Sequence, residues 1–189
     1  MRENYEITPS RSSLPPAVQR VSSNLKRAGN IGFWLQIILG VVSTVTLLFA
    51  STSLVGNQQR TSGSEVGIFC AFCGIIMLIV GIFFCFRYRR IARLLQNSDS
   101  ALRPKKADTY KVIRLGLIVN LVGMLLAILG AAALVGLVLA KSLTIPQGAI
   151  GYNDPRKFVN SIDLLIIQAN TNTITAHFAG IVTSLWLLD

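Results

Sequence analysis

The stretch "VIRLGLIVNLVGMLLAILGAAALVGLVLA" (Val112–Ala140) decides the fold. Past Arg114 it contains no charge, and its polar content is Asn120 and a scatter of glycines. An apolar run of about 20 residues crosses a hydrocarbon core about 30 Å thick as a helix rising about 1.5 Å per residue. Lipid offers the backbone no hydrogen-bond partner, so only helices and closed barrels span it. Barrel strands alternate apolar and polar residues, and this run does not, which predicts a helix. Three more stretches have the same character, giving predicted spans of about 31–55, 66–86, 112–140 and 164–188. With 52% hydrophobic and 14% charged residues in 189, the composition excludes an ordinary soluble domain, where about a quarter of residues are charged. The expectation is an all-α integral membrane protein with one four-helix domain over residues 23–189, preceded by a disordered cytoplasmic tail over 1–22, rich in Ser, Pro and Arg.

The net charge of +10 is unevenly placed. Arg2, Arg11, Arg20, Lys26 and Arg27 precede the first span, and Arg87, Arg89, Arg90, Arg93, Arg103, Lys105, Lys106, Lys111 and Arg114 lie between the second and third. The other two connections hold only Arg60, Lys141, Arg156 and Lys157. The positive-inside rule then puts both termini and the 87–111 loop in the cytoplasm. The basic 87–114 segment suits anionic lipid headgroups, at about 1 kcal/mol per cation near the surface, better than nucleic acid, for which no role is expected. Arg20–Asn30 can form an amphipathic helix lying on the headgroups, and the second span should continue as a helix through "RYRRIARLLQ" because no breaker interrupts it.

Gly67, Gly74 and Gly81 in the second span, and Gly116, Gly123 and Gly130 in the third, recur every seven residues. A seven-residue interval returns a side chain to nearly the same azimuth. Each span therefore carries a glycine groove along one face, which predicts close packing of the second helix on the third, with Asn120 bonding across the seam.

The last span is unusual. At 100° per residue Gln168, Thr171, Asn172, Thr175 and Thr183 share one side, while Asp163, Asn170, Thr173, His177 and Ser184 share nearly the opposite one. Two polar faces on one membrane helix predict burial within the bundle or within an oligomer. Such groups either fix helix register through hydrogen bonds or line a hydrophilic path. His177 is the sole histidine, able to ligate a metal or relay protons, and Cys70 and Cys73, one turn apart on the second span, are weak candidate co-ligands. First-row metals usually need three or four ligands, and a Cys-x-x-Cys pair in an apolar helix is more often two small hydrophobes. No P-loop, zincin motif or nucleophile–base constellation is present. We expect no enzyme and no resident cofactor.

"GFWLQ" (Gly32–Gln36), "VNLVGM" (Val119–Met124), "VGLVLAKSLT" (Val135–Thr144), "GYNDP" (Gly151–Pro155) and "IDLLIIQANTNTITAHFAGIVTSLWLL" (Ile162–Leu188) resemble the small four-span family of the chloroplast inner envelope. That family is described both as a Tic-type import component and as a plastid iron permease, and has cyanobacterial relatives. The resemblance covers about residues 24–188. It implies a permease-like protein for iron or another divalent metal, or else a non-transporting accessory or assembly subunit of a membrane complex or import translocon. It implies a chloroplast inner envelope location, or a cyanobacterial plasma or thylakoid membrane. The short polar N-terminus, unlike a long transit peptide, favours a cyanobacterial member or a mature plastid form. A lone four-span bundle has little room for a pore, so a homo-oligomer or a larger complex is expected.

Overall fold

The structure is a computed structural model that describes residues 14–56, 64–97, 99–144 and 161–189. Four long helices make up the described chain: α1 (Pro16–Gly56), α2 (Ser64–Leu95), α3 (Lys106–Thr144) and α4 (Ser161–Leu188), with one 3-10 turn at Ser100–Leu102. Three are long and apolar enough to cross a membrane: Pro16–Thr52, Val66–Leu95 and Lys106–Leu143. With these, the molecule is an integral membrane protein. α4 has the length, but the Gln, Asn, Thr and His residues of its middle leave it without a continuous stretch as apolar as those of the other three.

Local sequence explains the ends. Pro16 opens α1, where a missing N–H and a pre-set φ cost nothing, and Pro15 accepts from the amides of Val18 and Gln19 at 2.9 and 3.1 Å. Between α2 and α3, Asp99 caps the 3-10 turn by accepting from the Ala101 amide at 2.9 Å, and Arg103 Nε donates to the Asn97 carbonyl at 3.0 Å. α2 continues through the arginines to Leu95 as expected. α1 differs from expectation at its start. Residues 16–22, expected in the disordered tail, are helical, and the expected headgroup helix at 20–30 is the same continuous α1 packed into the bundle. Leu25 and Ala28 are buried there, and Ser22 Oγ donates to the Ala92 carbonyl at 2.8 Å. A partner helix for the apolar face of this segment is available in the extended α2, which removes the reason to lie on lipid. Residues 1–13, the rest of that tail, lie outside the described residues, as do "GYNDP" and the 145–160 connection.

The helices form an antiparallel ring in chain order, with α1 closing on α4 and α2 touching α4 across the middle. Each helix buries residues at intervals of seven. On α1 these are Ser22, Gly29, Gln36, Ser43 and Ala50; on α4, Asn170, His177 and Ser184. The register of α2 on α3 advances by the same step. Gly67 faces Leu134, Gly74 faces Ala127, Gly81 faces Asn120, and Tyr88 reaches the Ile113 carbonyl. A repeat of 3.5 residues per turn keeps one seam facing its neighbour along the whole helix, as in other antiparallel bundles. An apolar layer lies at each end, around Leu47, Ala50, Ala71, Ile75, Leu134 and Ile166 at one and around Leu25, Tyr88, Ile91, Val112 and Ile113 at the other. Polar side chains fill the centre between them.

Candidate functional site: a polar axis inside the bundle

Residues from all four helices meet in the central layer, each at most 1% exposed: Gln36 of α1, Cys85 of α2, Asn120 of α3 and His177 of α4. Gln36 Nε2 donates to Asn120 Oδ1 at 2.7 Å and to the Ala176 carbonyl at 3.3 Å. The Cys85 thiol donates to Gln36 Oε1 at 3.3 Å. Asn120 Nδ2 donates to the Gly116 carbonyl one turn back, at 2.8 Å. That bond and the one from Gln36 together fix which way the Asn120 carboxamide points. Its oxygen therefore also faces His177 Nδ1, at 3.2 Å, while His177 Nε2 faces the Gly74 carbonyl at 3.1 Å. Both ring nitrogens meet accepting oxygens, yet a neutral imidazole carries a single N–H. One of the two contacts is thus unmatched in the neutral state.

The network extends both ways from this layer. Towards α4's start, Ser43 and Thr173 hydroxyls lie 2.6 Å apart, and both bond the Ala169 carbonyl, at 2.6 and 3.0 Å. One turn further, Asn170 donates to the Ile166 carbonyl at 3.3 Å, while its Oδ1 is the one buried side-chain polar atom among the described residues without a partner. Towards the basic end, the Tyr88 hydroxyl lies 3.3 Å from Ser184 Oγ. From Asn170 to Ser184 the polar column runs about 20 Å at the α-helical rise. Its members are carboxamide, hydroxyl, thiol, imidazole and backbone carbonyl, rich in lone pairs.

The glycines position this column, and here the structure corrects the groove expectation. Of the six stripe glycines of α2 and α3, only Gly67 and Gly130 bring two backbones together; a Cβ on Gly130 would lie 3.0 Å from the Gly67 carbonyl. Gly74 faces the Ala127 side chain at an ordinary 3.4 Å. The remaining three make room for polar side chains. A Cβ on Gly123 would fall inside the imidazole of His177, one on Gly116 would collide with the Tyr88 hydroxyl, and one on Gly81 would lie 2.9 Å from Asn120 Oδ1. Gly180, on α4, does the same for Gln36 and Asn120. Asn120 does not bond across to α2 as expected, because its amide turns back to α3 and its oxygen is taken by α1 and α4.

The other sequence candidates separate into two groups. Asn170 and His177 lie on the axis with Asn120, whereas Gln168 and Thr175 are exposed on the opposite face of α4 and Asn172 is half-buried beside them. Gln168 Nε2 donates to Asn172 Oδ1 at 3.1 Å, and Thr175 bonds its own helix, to the Thr171 carbonyl at 2.9 Å. Cys70 and Cys73 are half-buried free thiols, Cys70 lying against Gly130. Among the described residues no three His, Cys, Asp or Glu are grouped to hold a metal ion. Gln36, Ser43 and Tyr88 are the site residues that sequence reasoning missed, while Cys85, expected only as a possible metal co-ligand, enters the site as a donor to Gln36. The seven-residue spacing of Ser22, Gly29, Gln36 and Ser43 is the signal that would have found the first two.

The model of the family described as "Protein of unknown function (DUF3611)" matches residues 15–189. The chain belongs to that family. It is also 36% identical over 175 residues to "Protein TIC 21, chloroplastic" of Arabidopsis thaliana, an alignment covering 90% of this chain and 57% of that protein. The chain thus spans a little over half the length of this relative, and the resemblance to the Tic-type envelope family holds over nearly all of the DUF3611 region. No solved structure matches the chain.

Proposed function

We propose that this DUF3611 protein is a permease-like membrane protein of four spans, with both termini and the 87–111 segment on the cytoplasmic or stromal side, and that the polar axis is its route. The observation that carries the reading is that column, about 20 Å long, built by all four helices inside an otherwise apolar bundle. Polar groups at membrane depth are costly and usually face an interior or a water path. Among the described residues no Lys or Arg joins this hydrogen-bonded network, and its lone pairs suit a cation better than an anion. The Tic-type resemblance, whose family is described as a plastid iron permease, makes iron, or another divalent metal, the cargo to test. The column is closed in this structure, so passage requires the helices to part along it. The reading includes no catalytic step and no resident cofactor.

The test is iron(II) flux into proteoliposomes of the wild type, His177→Ala and Gln36→Leu. Flux in the wild type with at least tenfold loss in both variants is expected. Wild-type flux that both variants retain would remove the axis as the route, and no flux from folded, inserted protein would remove the permease.

One observation favours a second reading, an accessory or assembly subunit of a membrane complex or import translocon. The Gln168–Thr175 face of α4 points out of the bundle, where a partner can meet it. A stable heteromeric complex in mild detergent, with no metal flux, supports that reading.

A further inference from the structure

Where α1 and α2 leave the apolar spans, both carry cations and neither carries an acid: Lys26 and Arg27 on α1, and Arg87, Arg89, Arg90 and Arg93 on α2. Among the described residues the one ion pair, Lys141 to Asp163, lies at the other end of the bundle. Arg89 differs from the other cations. It is half-buried at the seam between α1 and α2, and its stem fits where a Cβ on Gly29 would come within 3.1 Å of its Cγ. Its guanidinium lies over the Phe33 ring, 5.0 Å from the centroid, inside the roughly 6 Å reach of a cation–π contact. Gly29 and Phe33 of α1 thus seat this one arginine.

Stacking uses the flat face of a guanidinium and leaves its N–H edges free, a fork that matches two phosphate oxygens. Among the described residues no acceptor and no carboxylate takes that fork. The register of the seam adds charge at the same level. Ser22 bonds the Ala92 carbonyl and Gly29 faces Arg89, so Lys26 is level with the turn from Arg89 to Ala92. Lys26 shares the Phe33 face of α1, seven residues away, and Arg93 shares the Arg89 face of α2, four residues away; both cations are exposed. Towards the membrane centre the same two faces continue as Ile37 and Val41 on α1 and Ile82 and Phe86 on α2, none of them buried. Trp34 stands edge-on to Phe33 at 5.8 Å, a residue type suited to the headgroup boundary. The seam offers cations to a phosphate and, directly beneath, apolar side chains to hydrocarbon. A soluble anion would use only the first; a phospholipid uses both.

We propose that the α1–α2 seam at Arg89 and Phe33 is a binding site for an anionic phospholipid. Its phosphate is held by the Arg89 fork and the Lys26 ammonium, and its acyl chains follow the seam past Phe86. The site rests on the membrane placement of α1 and α2 and is independent of any cargo.

The test uses full-length Trp186→Phe protein in phosphatidylcholine vesicles, which leaves Trp34 as the one tryptophan. Brominated phosphatidylglycerol and brominated phosphatidylcholine are added separately at equal low mole fraction, and quenching of Trp34 gives their relative association. Stronger quenching by the phosphatidylglycerol is expected. Arg89→Gln should lower that preference about fivefold, from about 1 kcal/mol per cation near the surface and about 1.4 kcal/mol per factor of ten. Arg114→Gln, which removes an exposed cation from α3 at the same end, should lower it much less. Lys26→Gln, at an exposed position, replaces Arg89→Gln if that variant does not elute as a folded protein, with the same fall expected. Equal quenching by the two lipids overturns the site, and so does an equal fall at the seam and at position 114, which would make the preference a property of the whole basic end. Loss of the preference on adding inorganic phosphate, but not sodium chloride of the same ionic strength, would make the ligand a soluble anion and overturn the lipid assignment.

Discussion

Gly123→Ala adds one methyl group to a helix, yet the structure makes it one of the costliest substitutions in the bundle. The new Cβ would occupy the space of the His177 ring, a fully buried side chain on a helix packed on both sides. Rotating the imidazole away breaks its contacts with Asn120 and Gly74, and leaving it forces α3 and α4 apart. Overpacking costs typically about 1–3 kcal/mol, and the one matched imidazole hydrogen bond contributes about 0.6 kcal/mol in a membrane protein. We expect a loss of about 2–4 kcal/mol. Two other glycines calibrate the result. A Cβ on Gly74 meets Ala127 at 3.4 Å and Thr173 at 3.5 Å, and one on Gly136 meets nothing within 4 Å, so Gly74→Ala and Gly136→Ala should each stay within about 0.5 kcal/mol. The assay is reversible unfolding in mixed micelles. Combining Gly123→Ala with His177→Ala should cost less than the sum of the two, because the collision disappears with the ring. Equal, small effects at 74, 123 and 136, or strict additivity of the pair, would refute the assignment of Gly123 as the seat of His177.

Gly116→Ala should destabilise in the same assay, and Tyr88→Phe should restore part of the loss, since the collision is with the tyrosine hydroxyl. Tyr88→Phe alone should cost less than about 1 kcal/mol, as its bonds are long, at 3.3 and 3.4 Å. A double-mutant cycle on Gln36→Leu and Asn120→Leu should show a coupling of about 0.6 kcal/mol, with about 1.7 kcal/mol as the upper bound, from their 2.7 Å bond; zero coupling would remove that bond from the core. Lys141 and Asp163 pair at 2.8 Å, joining α3 to α4 at the end opposite the arginines. Either Ala substitution should lower the thermal midpoint, the effect should change little with salt because the two side chains are mostly buried, and the swap of Lys141→Asp with Asp163→Lys should recover most of it.

Much of this was legible beforehand because it is a property of single helices. Length and apolarity set the helices, and a spacing of seven sets which residues share a face whatever the neighbour. The glycine stripes of α2 and α3 therefore do lie in the bundle. What the stripes hold was not legible. Glycine spacing records where a side chain is missing, and it carries no record of whether a backbone, an alanine, an imidazole or a phenol hydroxyl fills the gap. Gln36 illustrates the same limit: one polar residue in an apolar run acquires a role only from Asn120, Cys85 and Ala176, which lie on three other helices.

α4 draws the line most clearly. The sequence alone determined that it has two polar faces about half a turn apart, because azimuth follows from 3.6 residues per turn. It could not determine which face turns inward, since both carry carboxamides and threonines at helical spacing. Tertiary packing decided that. The Asn170–Thr173–His177–Ser184 face finds Gly123 to seat the imidazole, Ser43 and Tyr88 to pair with, and Asn120 to join it to Gln36. The Gln168–Thr175 face carries side chains that bond only their own helix. Burial goes to the face whose polar groups meet partners on other helices, because an unpaired polar atom inside the bundle costs more than an exposed one bonded to its own chain.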